Sequence, residues 1–116
     1  MILCAIDDLM FSVKVKTTAK ALQAEVYFER TPGQVLASIR DRRPALVIFD
    51  LNSARLDPIT VVAAMQADEA LRHIRTIGYV SHVDGATIAA ARHAGVGQVL
   101  ARSAFVERLG EILTSA

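Results

Sequence analysis

Aromatic residues are scarce in this chain and tryptophan is absent, so large rings cannot supply most of its interior. Only 5% of the 116 residues are aromatic, whereas 53% are hydrophobic. We therefore expect an aliphatic core built from Val, Ile, Leu and Ala. A chain of this length suits one domain, and the sequence predicts a single domain over residues 1–116.

Cysteine is also scarce, since Cys4 is the only one and cannot form a disulfide within the chain. A lone cysteine in an apolar run is typical of a buried residue in a reducing compartment. The first residues lack a basic leader and a small-residue cleavage site. These features together predict a cytoplasmic protein.

The chain has neither a strong net charge nor a long apolar run. Its formal net charge is +1 at pH 7, which gives no general attraction to nucleic acid or to an anionic membrane. No apolar run approaches the roughly 20 residues that a helix needs to cross a bilayer. We therefore expect neither nucleic acid nor a membrane among its partners.

What the chain does have is a regular alternation of short apolar runs with longer amphipathic stretches. The third run is continuously apolar, as is typical of a strand covered on both faces. The five predicted strands are Ile2–Ile6, Ala24–Glu29, Ala45–Phe49, Thr76–Val80 and Gln98–Ala101.

The stretches between these runs are predicted helices, and three of them begin with capping signals. Thr31 offers a hydroxyl at the N-cap and is followed by Pro32 at the first helical position. Asp57 and Pro58 repeat this signal, and Asp84 is a further candidate N-cap. The last segment carries one apolar stripe, which predicts a single fifth helix.

The order of elements is thus a strand–helix unit repeated five times, which predicts an α/β fold with a parallel sheet and helices on both faces. Because crossovers are right-handed, few windings remain. The commonest small one is the flavodoxin-like, doubly wound sheet with strand order 2-1-3-4-5. Ligands of such sheets bind at the carboxyl ends of the first and third strands.

Acidic residues occur where this topology predicts a ligand crevice. Asp7 and Asp8 follow the first strand, and Asp50 follows the third. Neighbouring strands lie about 4.8 Å apart, so three carboxylates would crowd one small pocket and disfavour one another's ionisation. A hard divalent cation such as Mg²⁺ would offset this repulsion, because it binds carboxylates, waters and phosphate oxygens.

Two further residues come to the same edge of the predicted sheet. Ser81 follows the fourth strand, and its hydroxyl can donate to an oxygen on Asp50 or on a group attached there. Arg102 follows the fifth strand, roughly 10 Å from the third strand. Only a long cationic side chain such as that of Arg102 can span this gap.

This set of residues suits phosphoryl transfer to a carboxylate. A carboxylate can act as a nucleophile and carry a phosphoryl group as an aspartyl phosphate, and a metal ion neutralises charge on the transferring group. Asp50 is the best candidate for the acceptor, with Asp7 and Asp8 as metal ligands. Ser81 and Arg102 are candidates to hold the remaining phosphoryl oxygens.

Four segments carry a resemblance to a known family: Ile6-Asp7-Asp8, Ile48-Phe49-Asp50-Leu51-Asn52, Val80-Ser81 and Ala94-Gly95-Val96. They resemble the receiver domains of bacterial two-component response regulators, over essentially the whole chain. The resemblance implies that Asn52 offers its backbone carbonyl to the metal ion. It also implies that a sensor histidine kinase or a phosphotransfer protein donates the phosphoryl group.

By the same resemblance, phosphorylation of Asp50 would rearrange the surface of the fourth helix, fifth strand and fifth helix, which then binds a downstream protein target. That surface is also where a homodimer would form. Such a domain catalyses at most its own phosphorylation and dephosphorylation, so we do not expect an enzyme. Lys14, Lys16 and Lys20 in the first helix are interpreted as a solvated face, with docking of a kinase as the alternative.

Three departures from the family pattern leave other functions open. Arg102-Ser103 stands where the family has Lys-Pro, Ala54-Arg55 replaces its Pro-Gly turn, and Val99 replaces a strand aromatic. One alternative is therefore a pseudo-receiver, a protein-interaction module that works without phosphorylation. A nucleotide- or flavin-binding domain is disfavoured, because the chain lacks a Gly-rich phosphate cradle and the carboxylates repel phosphate.

Overall fold

The structure, a computed structural model, describes residues 1–81 and 84–116. Its strands are β1 (Ile2–Ala5), β2 (Val26–Glu29), β3 (Leu46–Asp50), β4 (Arg75–Val80) and β5 (Gln98–Ala101). Its helices are α1 (Leu9–Ala21), α2 (Pro32–Arg42), α3 (Pro58–Ala67), α4 (Gly85–Ala94), α5 (Arg102–Glu107) and α6 (Leu109–Thr114). The five predicted strands are confirmed, with ends that differ by one or two residues at most.

The strands form one parallel sheet in the order β2-β1-β3-β4-β5, which confirms the flavodoxin-like prediction. The register aligns the carboxyl ends of the inner strands. Ala5 of β1 lies opposite Phe49 of β3, and Asp50 lies opposite Tyr79 of β4. The residues that follow β1, β3, β4 and β5 therefore come to one edge of the sheet.

Two apolar layers cover the two faces of the sheet. Side chains of α1, α5 and α6 pack on one face, and side chains of α2, α3 and α4 pack on the other. Ile48 and Phe49 are consecutive in β3, face opposite layers, and are both fully buried. This two-sided burial explains why the third strand is continuously apolar in sequence.

The expectation of a wholly aliphatic core is wrong, most clearly in the layer that contains α1 and α5. Phe11 of α1, Tyr79 of β4 and Phe105 of α5 form an aromatic cluster, and all three are buried. The Tyr79 ring centroid lies 5.0 Å from each of the other two. Such ring pairs contribute about 0.5–1.5 kcal/mol beyond their burial, so the contacts among these three rings add to the stability of this layer.

Two of the three predicted helix caps are confirmed. Thr31 Oγ1 accepts a hydrogen bond from the Gln34 N–H at 3.3 Å, and Asp84 Oδ1 accepts one from the Ala86 N–H at 3.0 Å. Asp57 precedes α3 as predicted, but its side chain makes no capping hydrogen bond. The reason is its left-handed backbone, with φ of 44°, since capping requires an extended N-cap residue.

The predicted fifth helix is interrupted at Arg108, whose ψ of 6° departs from helical geometry and separates α5 from α6. Backbone hydrogen bonds continue across the break, because the Arg108 N–H donates to Ala104 and the Arg108 carbonyl accepts from Ile112. The apolar stripe therefore still faces one layer. Phe105, Leu109 and Leu113 are buried in it.

The lone cysteine is buried among apolar side chains in β1, as expected. Burial raises the pKa of the Cys4 thiol to about 12, which keeps it protonated and unreactive at neutral pH. Within residues 1–81 and 84–116, every helix is too short or too polar to cross a bilayer.

Gly78 of β4 makes room for the side chain of the residue after Asp50. A Cβ at Gly78 would lie 2.5 Å from Leu51 Cδ1 and 2.7 Å from Leu51 Cγ. We predict that Gly78→Ala lowers the free energy of unfolding by about 1–3 kcal/mol, because the buried Leu51 must move. Urea denaturation measures this loss.

Gly85→Ala is the matched control, because a Cβ at this first residue of α4 meets no atom within 4 Å. Its stability should equal or exceed that of the wild type by up to about 1 kcal/mol, as alanine favours helices. Equal stability of Gly78→Ala and wild type would show that Leu51 can move without cost.

Candidate functional site

Three carboxyl groups meet at the carboxyl edge of the sheet. Asp50 is the last residue of β3, while Asp7 and Asp8 follow β1 in the link to α1. Burial is the largest cause that raises the pKa of Asp50, and the nearby carboxylates of Asp8 and Asp7 raise it further, so the three charges interact. We call Asp7, Asp8 and Asp50 the acidic edge.

Burial is the main influence on Asp50. It raises the pKa of this carboxyl, and the neighbouring Asp8 and Asp7 raise it further. The Asn52 N–H and the Arg102 guanidinium act in the opposite direction, but they do not cancel the desolvation. The ionised Asp50 is thus incompletely solvated, and it gains more than an exposed carboxylate from any cation or phosphoryl group that reaches it.

Asp8 has two partners that tie the acidic edge to α1 and α5. Its Oδ1 accepts the Phe11 N–H at 3.1 Å and so caps α1. Its Oδ2 lies 3.7 Å from Nη2 of Arg102. Both carboxylate oxygens of Asp8 are therefore engaged by groups of the chain itself.

Arg102 reaches the acidic edge from the far side of the sheet. It is the first residue of α5, directly after β5, and its guanidinium carbon lies 4.3 Å from the Phe11 ring centroid. The side chain of Arg102 is long enough to reach the acidic edge, as predicted, and it forms an ion pair with Asp8. Its positive charge also lowers the pKa of Asp50. A flat guanidinium stacks on an aromatic ring in a way that an ammonium group cannot.

The sequence interpretation overlooked Arg55 as a member of this site. Arg55 lies in the loop between β3 and α3, and its Nη1 is 3.6 Å from Oδ1 of Asp7. The only signal in the sequence is its position five residues after Asp50, in a loop at the same edge. The acidic edge thus has two guanidinium partners, one for Asp7 and one for Asp8.

Asn52 forms hydrogen bonds with both Asp50 and Ser81. The Asn52 N–H donates to Asp50 Oδ1 at 3.1 Å, and the Asn52 side-chain Oδ1 accepts the Ser81 N–H at 2.6 Å. The amide of Asn52 therefore connects the ends of β3 and β4. Ser81 is exposed, and within the described ranges its hydroxyl donates no hydrogen bond to Asp50.

The donor atoms of this site fit Mg²⁺ in their chemistry, because carboxylate and carbonyl oxygens are the ligands that Mg²⁺ prefers. The candidates remain Asp7, Asp8, Asp50 and the backbone carbonyl of Asn52. Among residues 1–81 and 84–116, no group of three or more His, Cys, Asp or Glu side chains is positioned to hold a metal ion. The carboxylates of Asp7 and Asp8 are instead paired with arginines.

We predict that Asp50→Asn is more stable than the wild type at pH 7. A carboxyl with a raised pKa in the folded state destabilises that state when it is ionised. This cost is absent below the unfolded-state pKa of about 4, where Asp50 is protonated in both states. The stability advantage of Asp50→Asn over the wild type should therefore increase as pH rises through the folded-state pKa of Asp50. Urea denaturation at several pH values measures this difference.

Asp84→Asn is the control, because the pKa of Asp84 is lowered and the expected change in stability is therefore opposite. Hydrogen bonds from the Thr87 hydroxyl and from backbone N–H groups lower the pKa of the Asp84 carboxyl. Its charge therefore stabilises the folded state at neutral pH, and this variant should lose stability there and less at low pH. A wild type at least as stable as Asp50→Asn at pH 7 would refute the raised pKa of Asp50.

No family model matches the sequence, and a comparison with curated proteins found no significant match. Solved structures do match. A response regulator in red light signaling of R. palustris is 25% identical, with a TM-score of 0.81 over 96% of this chain and 89% of that one.

Two further structures match at lower identity. The Mn²⁺-bound form of the response regulator Rcp1 is 18% identical, with a TM-score of 0.80 over 96% of this chain and 89% of that one. The phosphorylated cyanobacterial phytochrome response regulator RcpA is 21% identical, with a TM-score of 0.77 over 98% and 88%. The chain is therefore similar, over nearly its whole length, to the receiver domains of response regulators, as its acidic motifs indicated.

Proposed function

We propose that this chain is a single receiver domain that accepts a phosphoryl group on Asp50, with Mg²⁺ bound near Asp7 and Asp8. The donor is the phosphohistidine of a sensor histidine kinase or of a phosphotransfer protein. One observation carries the proposal: a half-buried Asp50 with a raised pKa lies among Asp7 and Asp8 at the carboxyl edge of the sheet. Proteins of the same fold in Mn²⁺-bound and phosphorylated forms support it.

Transfer requires a free carboxylate oxygen aimed at the phosphorus atom. The Asn52 N–H donates to Asp50 Oδ1, and the other oxygen, Oδ2, is the one that we assign as the nucleophile. The new O–P bond forms as the P–N bond to the donor imidazole breaks, and the leaving imidazole takes up a proton. When bound, Mg²⁺ supplies positive charge that offsets the charge on the transferring group.

Arg102 and Ser81 are the candidates to hold the phosphoryl oxygens, because each follows a strand that ends at the same edge as Asp50. Arg102 already lowers the pKa of Asp50, so its positive charge acts at the acceptor. It can pair with phosphoryl oxygens as a charge-assisted donor. The Ser81 hydroxyl, exposed at the end of β4, is the second donor to these oxygens.

The position of Arg102 connects the charge at Asp50 to the surface that signals. Arg102 begins α5 and lies against Phe11, which belongs to the aromatic cluster with Tyr79 and Phe105. A phosphoryl group on Asp50 adds negative charge that attracts Arg102, and any shift of Arg102 moves the start of α5. The α4, β5 and α5 face then binds a downstream protein target or a second copy of the chain.

The start of α1 offers a docking surface for the kinase beside the acidic edge. Leu9, Met10 and Val13 are 60%, 85% and 60% exposed, so the first turns of α1 present an apolar patch to solvent. Asp8 directly precedes this patch. A histidine-bearing partner that covers these side chains would bring its phosphohistidine next to Asp50.

The first test is chemical phosphorylation. With Mg²⁺ and acetyl phosphate, we expect the intact mass of the wild type to increase by one phosphoryl group, and we expect Asp50→Asn to remain unmodified. Arg102→Lys should retain modification, and Arg102→Met should be slower by about tenfold or more, because a charged donor to the phosphoryl oxygens is lost. An unmodified wild type, with amide spectra also unchanged by beryllium fluoride, would exclude this function.

The second test concerns docking. Met10→Glu should reduce phosphotransfer from autophosphorylated sensor histidine kinases of the source organism by about tenfold, because a charge replaces an apolar contact. Its reaction with acetyl phosphate should stay at the wild-type rate. Thr17→Glu places the same charge two turns further along α1 and should transfer normally. Equal losses in both variants would show that α1 charge, not the apolar patch, controls docking.

A second candidate function is that of a pseudo-receiver. Arg55 and Arg102 pair with Asp7 and Asp8, so much of the negative charge is balanced without a metal ion or a phosphoryl group. This function predicts that Asp50→Asn preserves partner binding and cellular phenotype. Loss of either in that variant would argue for the phosphorylated receiver.

A further inference from the structure

Two of the three carboxylates of the acidic edge form ion pairs with arginines, and these two ion pairs differ in how many other contacts hold them in place. Arg102 Nη2 lies 3.7 Å from Asp8 Oδ2, and Arg55 Nη1 lies 3.6 Å from Asp7 Oδ1. Three carboxylates and two guanidiniums leave a formal charge of −1. The chain therefore carries most of its own counter-charge at the place where a divalent cation is expected to bind.

The pair on Asp8 is held on several sides. Its Oδ1 caps α1, and its partner Arg102 is stacked on the Phe11 ring and anchored at the start of α5. Moving Arg102 would disturb both helices. The Asp8 pair is thus coupled to both helices and cannot open without affecting them.

The pair on Asp7 has much less support. The Arg55 side chain is 64% exposed and extends from the loop between β3 and α3, and Asp7 is its ion-pair partner. Exposed ion pairs at such distances contribute little to stability and are screened by salt. The Asp7 pair can therefore open without unfolding any neighbouring element.

The carboxylate of Asp7 cannot pair with Arg55 and coordinate a divalent cation at full strength at the same time. Mg²⁺ and Mn²⁺ require oxygen ligands in a near-octahedral arrangement, and a guanidinium beside a ligand carboxylate repels the cation. Arg55 and the cation therefore compete for one carboxylate.

We propose that Arg55 is a built-in counter-ion of Asp7 that competes with the divalent cation and so sets the cation affinity of the acidic edge. Arg55 acts through Asp7 and is a positioning residue, not a ligand or a catalytic group. The inference rests on the proposed function for the location of the cation, and it adds the residue that regulates its loading.

The test is titration of the full chain with Mn²⁺ at fixed ionic strength, with free Mn²⁺ measured by electron paramagnetic resonance. Arg55→Gln should bind Mn²⁺ about five- to tenfold more tightly than the wild type, because one positive charge and one competitor are removed. Arg92→Gln is the matched control. Arg92 is exposed near the end of α4, at the opposite edge of the sheet. The Mn²⁺ affinity of Arg92→Gln should therefore stay within about twofold of that of the wild type.

The effect must depend on Asp7 if the competition occurs there. In an Asp7→Asn background, which itself weakens binding, Arg55→Gln should produce no further tightening. Tightening that persists without the Asp7 carboxylate would show that Arg55 acts through the general field, and would overturn the proposed competition. Thermal denaturation of each variant confirms that folded protein is compared.

Equal Mn²⁺ affinity of wild type and Arg55→Gln would overturn the proposal, as would the absence of binding in both at millimolar Mn²⁺. Absence of binding would also remove the cation site of the proposed function, whereas the comparison of the two affinities is independent of whether Asp50 is phosphorylated. If Asp50 is never modified but Arg55→Gln binds Mn²⁺ more tightly, phosphoryl acceptance fails and the competition stands. If Asp50 is modified and the affinities are equal, the role of Arg55 alone fails.

Discussion

Electrostatic repulsion among Asp7, Asp8 and Asp50 is the constraint on which the site depends. Strand order places β1 beside β3, and parallel pairing brings their carboxyl ends together. The three charges therefore meet because the sheet forms, and each conformation of the site must supply counter-charge. In this structure Arg55 and Arg102 supply it. The proposed divalent cation and phosphoryl group would change the same balance.

That balance is connected to packing through Arg102. Its guanidinium pairs with Asp8 on one side and lies over Phe11 on the other, and Phe11 contacts Tyr79 and Phe105. Tyr79 is also the register partner of Asp50. Some of the residues that contact the charges of the acidic edge therefore also contact the aromatic cluster below it. This is the physical basis for expecting that a change at Asp50 alters α5.

The places where expectation and structure differ have local physical causes. Asp57 has the sequence of an N-cap but a left-handed backbone, so its side chain does not cap α3. Arg108 interrupts the last helix, yet the apolar stripe persists because hydrogen bonds span the break. Low aromatic content suggested an aliphatic core, but composition says nothing about clustering, and three rings gather in one layer.

The strands, the sheet order and the placement of Asp7, Asp8 and Asp50 at one edge could be predicted from the sequence, because apolar periodicity and right-handed crossovers restrict the topology. The sequence could not assign partners to long side chains. These contacts depend on distances of a few ångströms between loops. They are the ion pairs of Arg55 with Asp7 and of Arg102 with Asp8, and the hydrogen bond between the Asn52 amide and Ser81. These distances are set by the packing of the folded chain, since a flexible side chain can reach several groups and its packed surroundings select one of them.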